Sequence, residues 1–164
     1  MSNSTLRELL RGKGAHVDPV ACLEDLSASL AGKTVQGYPH SILQIVGHLN
    51  YWMDYEIARV CSIPREYPRH AIESWPQTIA PTEAEWQTTL ERFRDLLSQV
   101  SKFSESGPEV LNRMVIATSD KEAASTVETV LWQIVVHNSY HIGQATLLRR
   151  CLGVWPPRGG GDSW

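Results

Sequence analysis

The sequence lacks the features that define several large classes of protein. No apolar run approaches the roughly 20 residues that a membrane-spanning helix needs, and the polar residues Met1–Thr5 do not resemble a secretion signal. A basic surplus is also missing: 15 Lys and Arg residues stand against 18 Asp and Glu residues, and the net charge is −3. Nucleic-acid binding depends on a dense basic face. We therefore expect a chain that binds neither a membrane nor a nucleic acid.

Cysteine is scarce, and its spacing indicates no disulfide framework. Cys22, Cys61 and Cys151 stand far apart, and no two of them have the CxxC spacing of a redox or zinc motif. Free thiols of this kind are typical of a reducing compartment. We therefore expect a cytoplasmic protein whose cysteines have structural roles.

Strand-like alternation of apolar and polar residues is missing as well, and a helical period takes its place. With 164 residues, 42% of them hydrophobic, the chain is long enough for one substantial core. The predicted fold class is all-α, a four-helix bundle that forms a single domain over residues 1–164. A flexible tail is expected from about residue 156, where proline and glycine concentrate.

Capping residues mark where the four predicted helices begin. The first helix is expected to follow Asp18-Pro19 and to end at about Ala31, and the second to follow Pro39, with Ser41 as its cap, and to end at about Cys61. The third is expected to begin at a Thr82–Glu85 capping box and to carry an apolar stripe that ends at Val100. The fourth is expected to begin at a Ser125–Glu128 capping box and to end at Leu152. Gly32 and Gly153 are the expected stops of the first and the fourth helix.

Long connections separate these helices. Residues 62–81 contain four prolines, so they cannot be helical and are expected to form a crossover between the second and third helices. Tyr67 and Trp75 in this segment could either cover a functional site or simply pin the crossover to the bundle. Residues 102–124 form a second connection with a short helix predicted at Pro108, and residues 6–11 are predicted to form a short leading helix.

Two histidines on the fourth predicted helix indicate a metal site. His137 and His141 are four residues apart, so their rings lie on one helical face about one turn apart. That face is predicted to be buried, and buried imidazoles need partners. A zinc protease would carry glutamate after the first histidine, but Asn138 occupies that position, which excludes this activity.

The second predicted helix offers a matching polar line on which His48 lies. Opposite His137 and His141, His48 would complete a set of three imidazole ligands and leave a coordination position open for a small-molecule substrate. Imidazole ligands suit zinc, nickel or ferrous iron. Residues expected to orient the ligands or line the pocket are Gln144, Gln44, Tyr51 and Trp52. His16 and His40 could approach the pocket mouth or be ordinary surface histidines, and His70 is expected in solvent.

The sequence resembles the DinB/YfiT-like family over most of its length. The resemblance is carried by His137-Asn138-Ser139-Tyr140-His141-Ile142-Gly143-Gln144, then Leu147-Leu148-Arg149-Arg150 and Leu152-Gly153, and by Pro39-His40-Ser41-Ile42-Leu43-Gln44 leading to His48. It implies a four-helix bundle with a crossover and a divalent metal held by His48, His137 and His141. It also implies, for some members, transferase activity with bacillithiol, mycothiol or glutathione, and for many members a dimer.

Three hypotheses for the function follow. In the first, the chain is a metal-dependent enzyme, such as a low-molecular-weight-thiol S-transferase, with the electrophile held among Tyr51, Trp52 and Trp75. In the second, it is a stress protein that binds a metal or ligand without turnover. In the third, it is a structural dimeric bundle with hydrogen-bonded core histidines. No catalytic residue or further cofactor site can be assigned from the sequence. The second helix is also apolar at Val46, Met53 and Ile57, which indicates either that it is sandwiched between neighbouring helices or that it pairs with a second copy in a homodimer.

Overall fold

The computed structural model describes residues 3–117 and 124–161, and helices dominate them. In chain order the elements are α1 (Asn3–Leu10), α2 (Ala28–Ala31), α3 (Ile42–Val60), a 3-10 helix (Ala71–Ser74), α4 (Glu83–Ser104), α5 (Pro108–Leu111), β1 (Met114–Val115), β2 (Ser125–Thr126) and α6 (Val127–Cys151). The short strands β1 and β2, which were not predicted, form an antiparallel pair. The all-α prediction is confirmed apart from this pair. Within the described ranges, no helix has both the length and the apolar character to cross a membrane.

Capping boxes begin α3 and α4 where the sequence predicts them. The Ser41 hydroxyl accepts the amide N–H of Gln44, whose side-chain oxygen accepts the Ser41 N–H at 3.0 Å. Thr82 and Glu85 make the same reciprocal pair at the start of α4. Each box satisfies two amide groups that have no partner within the helix. The local sequence is therefore enough to fix the first turn of both helices.

The predicted start of α6 is wrong by one or two residues. Ser125 lies in β2, where it pairs with Val115, and Thr126 caps the helix by accepting the N–H of Thr129 at 3.2 Å. The Ser125–Glu128 capping box therefore does not form. The far end agrees with the prediction: α6 ends at Cys151, and Gly153 adopts a φ of 73° that favours glycine.

The first predicted helix, from Asp18 to about Ala31, is wrong in most of its length. Asp18 does cap the amides that follow Pro19, but residues 19–25 form turns, and only Ala28–Ala31 is helical. Two carbonyls that a helix would use internally accept side chains instead. Arg149 donates to the Cys22 carbonyl at 2.7 Å, and Trp86 donates to the Leu26 carbonyl at 2.7 Å. Tertiary hydrogen bonds thus replace the helical ladder here.

The long helices pack around one core, with α3 against both α4 and α6, and α1 against the same two helices. Val46, Met53 and Ile57 of α3 are buried inside this core. Their apolar character therefore reflects packing between neighbouring helices, the first of the two interpretations, and these residues give no support to a dimer. The homodimer implied by the resemblance stays a prediction. The largest completely buried apolar side chains include Trp86, Phe93, Leu23, Ile42, Leu49, Met53 and Leu90.

The proline-rich segment between α3 and α4 is held close to α3. The Gln44 amide donates to the Pro76 carbonyl at 3.1 Å. Gly47 leaves the space that Pro76 fills, since a Cβ atom at Gly47 would stand 2.2 Å from Pro76 Cγ. These two contacts bring the neighbouring residues Ser74 and Trp75 against the middle of α3.

Residues after α6 return to the body of the protein. Arg149 donates to the Val154 carbonyl at 2.7 Å, and the Arg158 amide donates to Asp25 at 2.9 Å. Residues 118–123 of the second predicted connection and residues 162–164, including Trp164, lie outside the described residues. The flexibility of the tail stays a prediction.

Candidate metal centre

Three histidines from α3 and α6 meet at one point. His48 lies in the middle of α3, and its ring centroid is 5.2 Å from that of His137 and 4.8 Å from that of His141. The rings of His137 and His141 are 4.6 Å apart. One nitrogen from each of the three rings lies within 4.8 Å of the other two. In the described part of the chain, no carboxylate or thiolate belongs to this group.

Ser74 determines which nitrogen of His48 carries the proton. The Ser74 hydroxyl donates to the Ala71 carbonyl at 2.8 Å, so it can only accept from His48 Nδ1, which lies 3.0 Å away. The Ser74 carbonyl oxygen, 3.3 Å from the same nitrogen, is a second acceptor. His48 Nδ1 is therefore protonated, and the lone pair on Nε2 is free to bind an ion.

Gln144 has the same effect on His141. Its side-chain oxygen accepts from His141 Nδ1 at 2.7 Å, one helical turn further along α6. This bond leaves the lone pair of His141 at Nε2 and fixes the plane of the ring. Metal-binding histidines usually have such a partner on the second nitrogen, because it orients the ring and raises its basicity. The role of Gln144 in orienting a metal ligand stays a prediction.

Burial keeps the three imidazoles uncharged at neutral pH. Loss of solvation, and then the like charges of His141 and His137, lowers the pKa of His48 to about 3. Burial and the neighbouring His141 lower the pKa of His137 to about 4. Burial also lowers the pKa of His141, against the opposing effect of Gln144. Neutral imidazole is the form that binds a metal.

An indole side chain from the proline-rich segment covers His48. Trp75 stacks on the His48 ring at a centroid distance of 3.8 Å and on the opposite side stacks on His40 at 3.6 Å. The three rings are nearly parallel, with interplanar angles of 10° and 9°. Trp75 therefore covers one face of His48 and at the same time holds the proline-rich segment against α3. His40 approaches the pocket, as one of its two interpretations anticipated.

The remaining predicted pocket residues lie near the cluster at different distances. The rings of Trp52 and His48 are nearly perpendicular, with their centroids 6.4 Å apart, and the Trp52 centroid is 5.4 Å from that of Tyr51 and 5.7 Å from that of Tyr67. These aromatic rings form an apolar wall beside the histidines. Gln44 instead caps α3 and holds Pro76, so it supports the covering segment and acts on the site only through it.

His16 and Asn138, which the sequence motifs also brought into question, make their contacts outside the histidine cluster. His16 donates through Nδ1 to the Val17 carbonyl at 2.8 Å and binds the Ser139 hydroxyl at 2.9 Å. Asn138 is buried against Met53, with its amide nitrogen 3.3 Å from the sulfur. The position that holds glutamate in a zinc protease therefore faces the core in this protein.

The three histidine nitrogens suit a divalent transition-metal ion of intermediate softness, such as zinc. Two nitrogens bound to one tetrahedral ion, each at 2.0–2.1 Å from it, lie roughly 3.3 Å from each other. The three histidine nitrogens lie within 4.8 Å of one another, and small rotations of the rings would bring them to that separation. Three neutral nitrogen donors without carboxylates do not suit calcium or magnesium. His48, His137 and His141 would hold the ion.

Comparison with known families agrees with this geometry. A family model described as the DinB superfamily matches residues 18–145, which contain all three histidines and Gln144. The chain belongs to the DinB superfamily. A search of curated proteins found no match. The DinB match spans α3 and α4 and most of α6, and therefore both walls of the candidate metal centre.

Sequence reasoning missed Ser74 as the partner of His48. Ser74 lies in a 3-10 turn of a proline-rich segment, 26 residues from the histidine it contacts. No periodicity relates the two positions. The only sequence signal was the placement of Trp75 next to it in a connection long enough to cover a site.

Proposed function

We propose that this DinB protein is a metal-dependent enzyme that joins a low-molecular-weight thiol to an electrophilic small molecule. The observation that carries the proposal is the convergence of three uncharged imidazoles, two of which have Nδ1 occupied by Ser74 and Gln144 and Nε2 left over. Core histidines with a purely structural role would be expected to use both nitrogens in hydrogen bonds.

Zinc, nickel or ferrous iron would suit this donor set, and three protein ligands leave a position for a substrate. When bound, such an ion supplies a positive charge that lowers the pKa of a thiol and favours its thiolate, the nucleophilic form. The protein contributes orientation: Ser74 and Gln144 fix two rings, and Trp75 shields His48 from water.

The absence of a carboxylate in the histidine group favours a thiol over water as the nucleophile. Hydrolysis at a metal centre generally uses a neighbouring general base, such as the glutamate of zinc proteases. Here, in the described residues, no Asp or Glu joins the three histidines. A thiol is acidic enough to react without one.

Other parts of the proposal concern architecture and location. We propose that α1, α3, α4 and α6 form the four-helix bundle, with α1 taking the place expected for the segment from Asp18 to Ala31, and that residues 62–81 are its crossover. A cytoplasmic location is also proposed, and the three free cysteines support it.

A conjugation assay tests the proposal. Zinc-, nickel- and iron-loaded protein is mixed with glutathione, cysteine, bacillithiol or mycothiol and with 1-chloro-2,4-dinitrobenzene. In each reaction a C–S bond forms, the C–Cl bond breaks, chloride leaves, and the thiol proton passes to buffer. We expect conjugation that requires metal, disappears in His141→Ala and persists in His70→Ala, which alters an exposed histidine outside the cluster. Metal-loaded protein that accelerates no pair would favour the alternative of a non-catalytic stress protein that binds a metal or ligand.

A further inference from the structure

An apolar groove lies on the outer side of α6 beside the histidine cluster. Its volume is about 560 Å³, and it is widely open to solvent because every residue that lines it belongs to α6. Charged side chains are missing from its lining among the described residues, which consists of Thr129, Trp132, Gln133, Val136, His137 and Tyr140. A ligand in this groove would meet two aromatic rings and an imidazole.

His137 connects the groove to the candidate metal centre. It is one of the three clustered histidines, and it also lines the groove. The other two are more enclosed: His48 and His141 are each 6% exposed, whereas His137 is half-buried. Trp75 blocks one face of His48. The groove therefore offers a solvent-accessible approach to the cluster from the His137 side.

The exposure of apolar side chains in the groove needs an explanation beyond folding. Val136 is 66% exposed and Tyr140 is 64% exposed, one helical turn apart on α6. Neither side chain serves the core, which α6 reaches through its opposite side. A contiguous exposed apolar surface of this kind marks a binding site more often than chance.

We propose that this groove binds an uncharged aromatic or aliphatic group of the small molecule whose reacting part approaches the three histidines. The inference rests on the proposed function, because it takes the histidine cluster as the metal centre. An uncharged group is specified because the lining offers no charge to pair with an ionic one. The aromatic edges and faces of Trp132 and Tyr140 favour a flat ring.

Two imidazole probes separate the groove from the metal. 1-Methylimidazole and 1-benzylimidazole both bind a metal through the same nitrogen, but only the second carries an apolar ring that can reach the groove. Each is titrated into cobalt(II)-loaded protein, and binding is followed by the visible absorption of cobalt. We expect the benzyl compound to bind about tenfold more tightly, since partial burial of a phenyl ring in an open groove is worth about that factor.

Two matched variants test whether the preference for 1-benzylimidazole depends on the groove. Val136→Asp places a charge in the groove, and Leu147→Asp places the same charge on another exposed apolar residue of α6 outside the lining. We expect Val136→Asp to abolish the preference for the benzyl compound while leaving the affinity for 1-methylimidazole unchanged. Leu147→Asp should retain the preference.

Each other outcome overturns the inference in a recognisable way. If cobalt binds and the two probes have equal affinity, the groove is not a ligand site, and the metal centre stands. If cobalt does not bind, the proposed function fails and this inference fails with it. If wild-type protein sediments as a dimer and Val136→Asp as a monomer, a second copy of the chain occupies the groove instead.

Discussion

Acid should destabilise the metal-free protein through the buried histidines. In the unfolded chain each imidazole has a pKa of 6.5, whereas in the folded protein the pKa of His48 is about 3 and that of His137 is about 4. Below pH 6.5 the unfolded state therefore binds more protons than the folded state. The stabilising effect of the neutral rings is complete above that pH and is lost as the pH falls toward 4 and then 3.

The size of the effect follows from these values. His48 has a pKa of 6.5 in the unfolded chain and of about 3 in the folded protein. At about pH 5 this difference lowers the free energy of unfolding by about 2 kcal/mol. His137 is half-buried, so solvent screening reduces its share to about 1 kcal/mol. The two rings together should lower the stability by about 3 kcal/mol between about pH 7.5 and pH 5.

Urea denaturation followed by circular dichroism, with a chelator present, measures this difference. His137→Asn replaces the titrating ring with a neutral amide, and it should reduce the loss of stability on acidification by about 1 kcal/mol. His70→Asn removes an exposed histidine and serves as the control, with an unchanged loss. The reasoning would be refuted if wild type and His137→Asn lost the same stability over this pH interval.

Substitutions at three further residues test individual contacts. Gln144→Ala should lower the affinity for zinc by about 10-fold to 100-fold, because the His141 ring loses the partner that fixes its orientation. Gln144→Glu keeps an acceptor oxygen and should retain the affinity. Competition with a chromophoric chelator measures the affinity of both variants. Trp75→Ala should weaken zinc binding by about tenfold, because His48 loses the ring stacked on it, and unchanged affinity would show that the stacking does not orient the histidine. Arg149→Ala should lower the free energy of unfolding, measured by urea denaturation, by about 3–5 kcal/mol, because the partly buried Asp25 carboxylate loses its ion-pair partner at 2.6 Å. A decrease below about 1 kcal/mol would contradict this.

Local signals in the sequence were sufficient for most of the helical framework. The capping boxes at Ser41 and Thr82 identify the starts of α3 and α4, because their hydrogen bonds involve residues only three positions apart. The same holds for Gly153 after α6. The prediction of a helix before Ala31 failed because Arg149 and Trp86, far along the chain, take backbone carbonyls that a helix would use.

The candidate site was predictable where it depends on helical spacing. The spacing of His137 and His141 places both rings on one face, and the polar line of α3 identifies His48 as their counterpart. Placement of Ser74 and Trp75 was not predictable in detail, because it depends on how the proline-rich segment packs into the space left by Gly47. That packing is a tertiary contact without a local pattern.

The metal content of the purified protein tests the central claim most directly. The protein is loaded with zinc, desalted and analysed for zinc and protein, in parallel with His141→Ala that circular dichroism shows to be folded. The account predicts about one zinc ion per chain in the wild type and none in the variant, because three imidazoles form the site. A wild type without zinc, or a folded variant that retains one ion per chain, would contradict it.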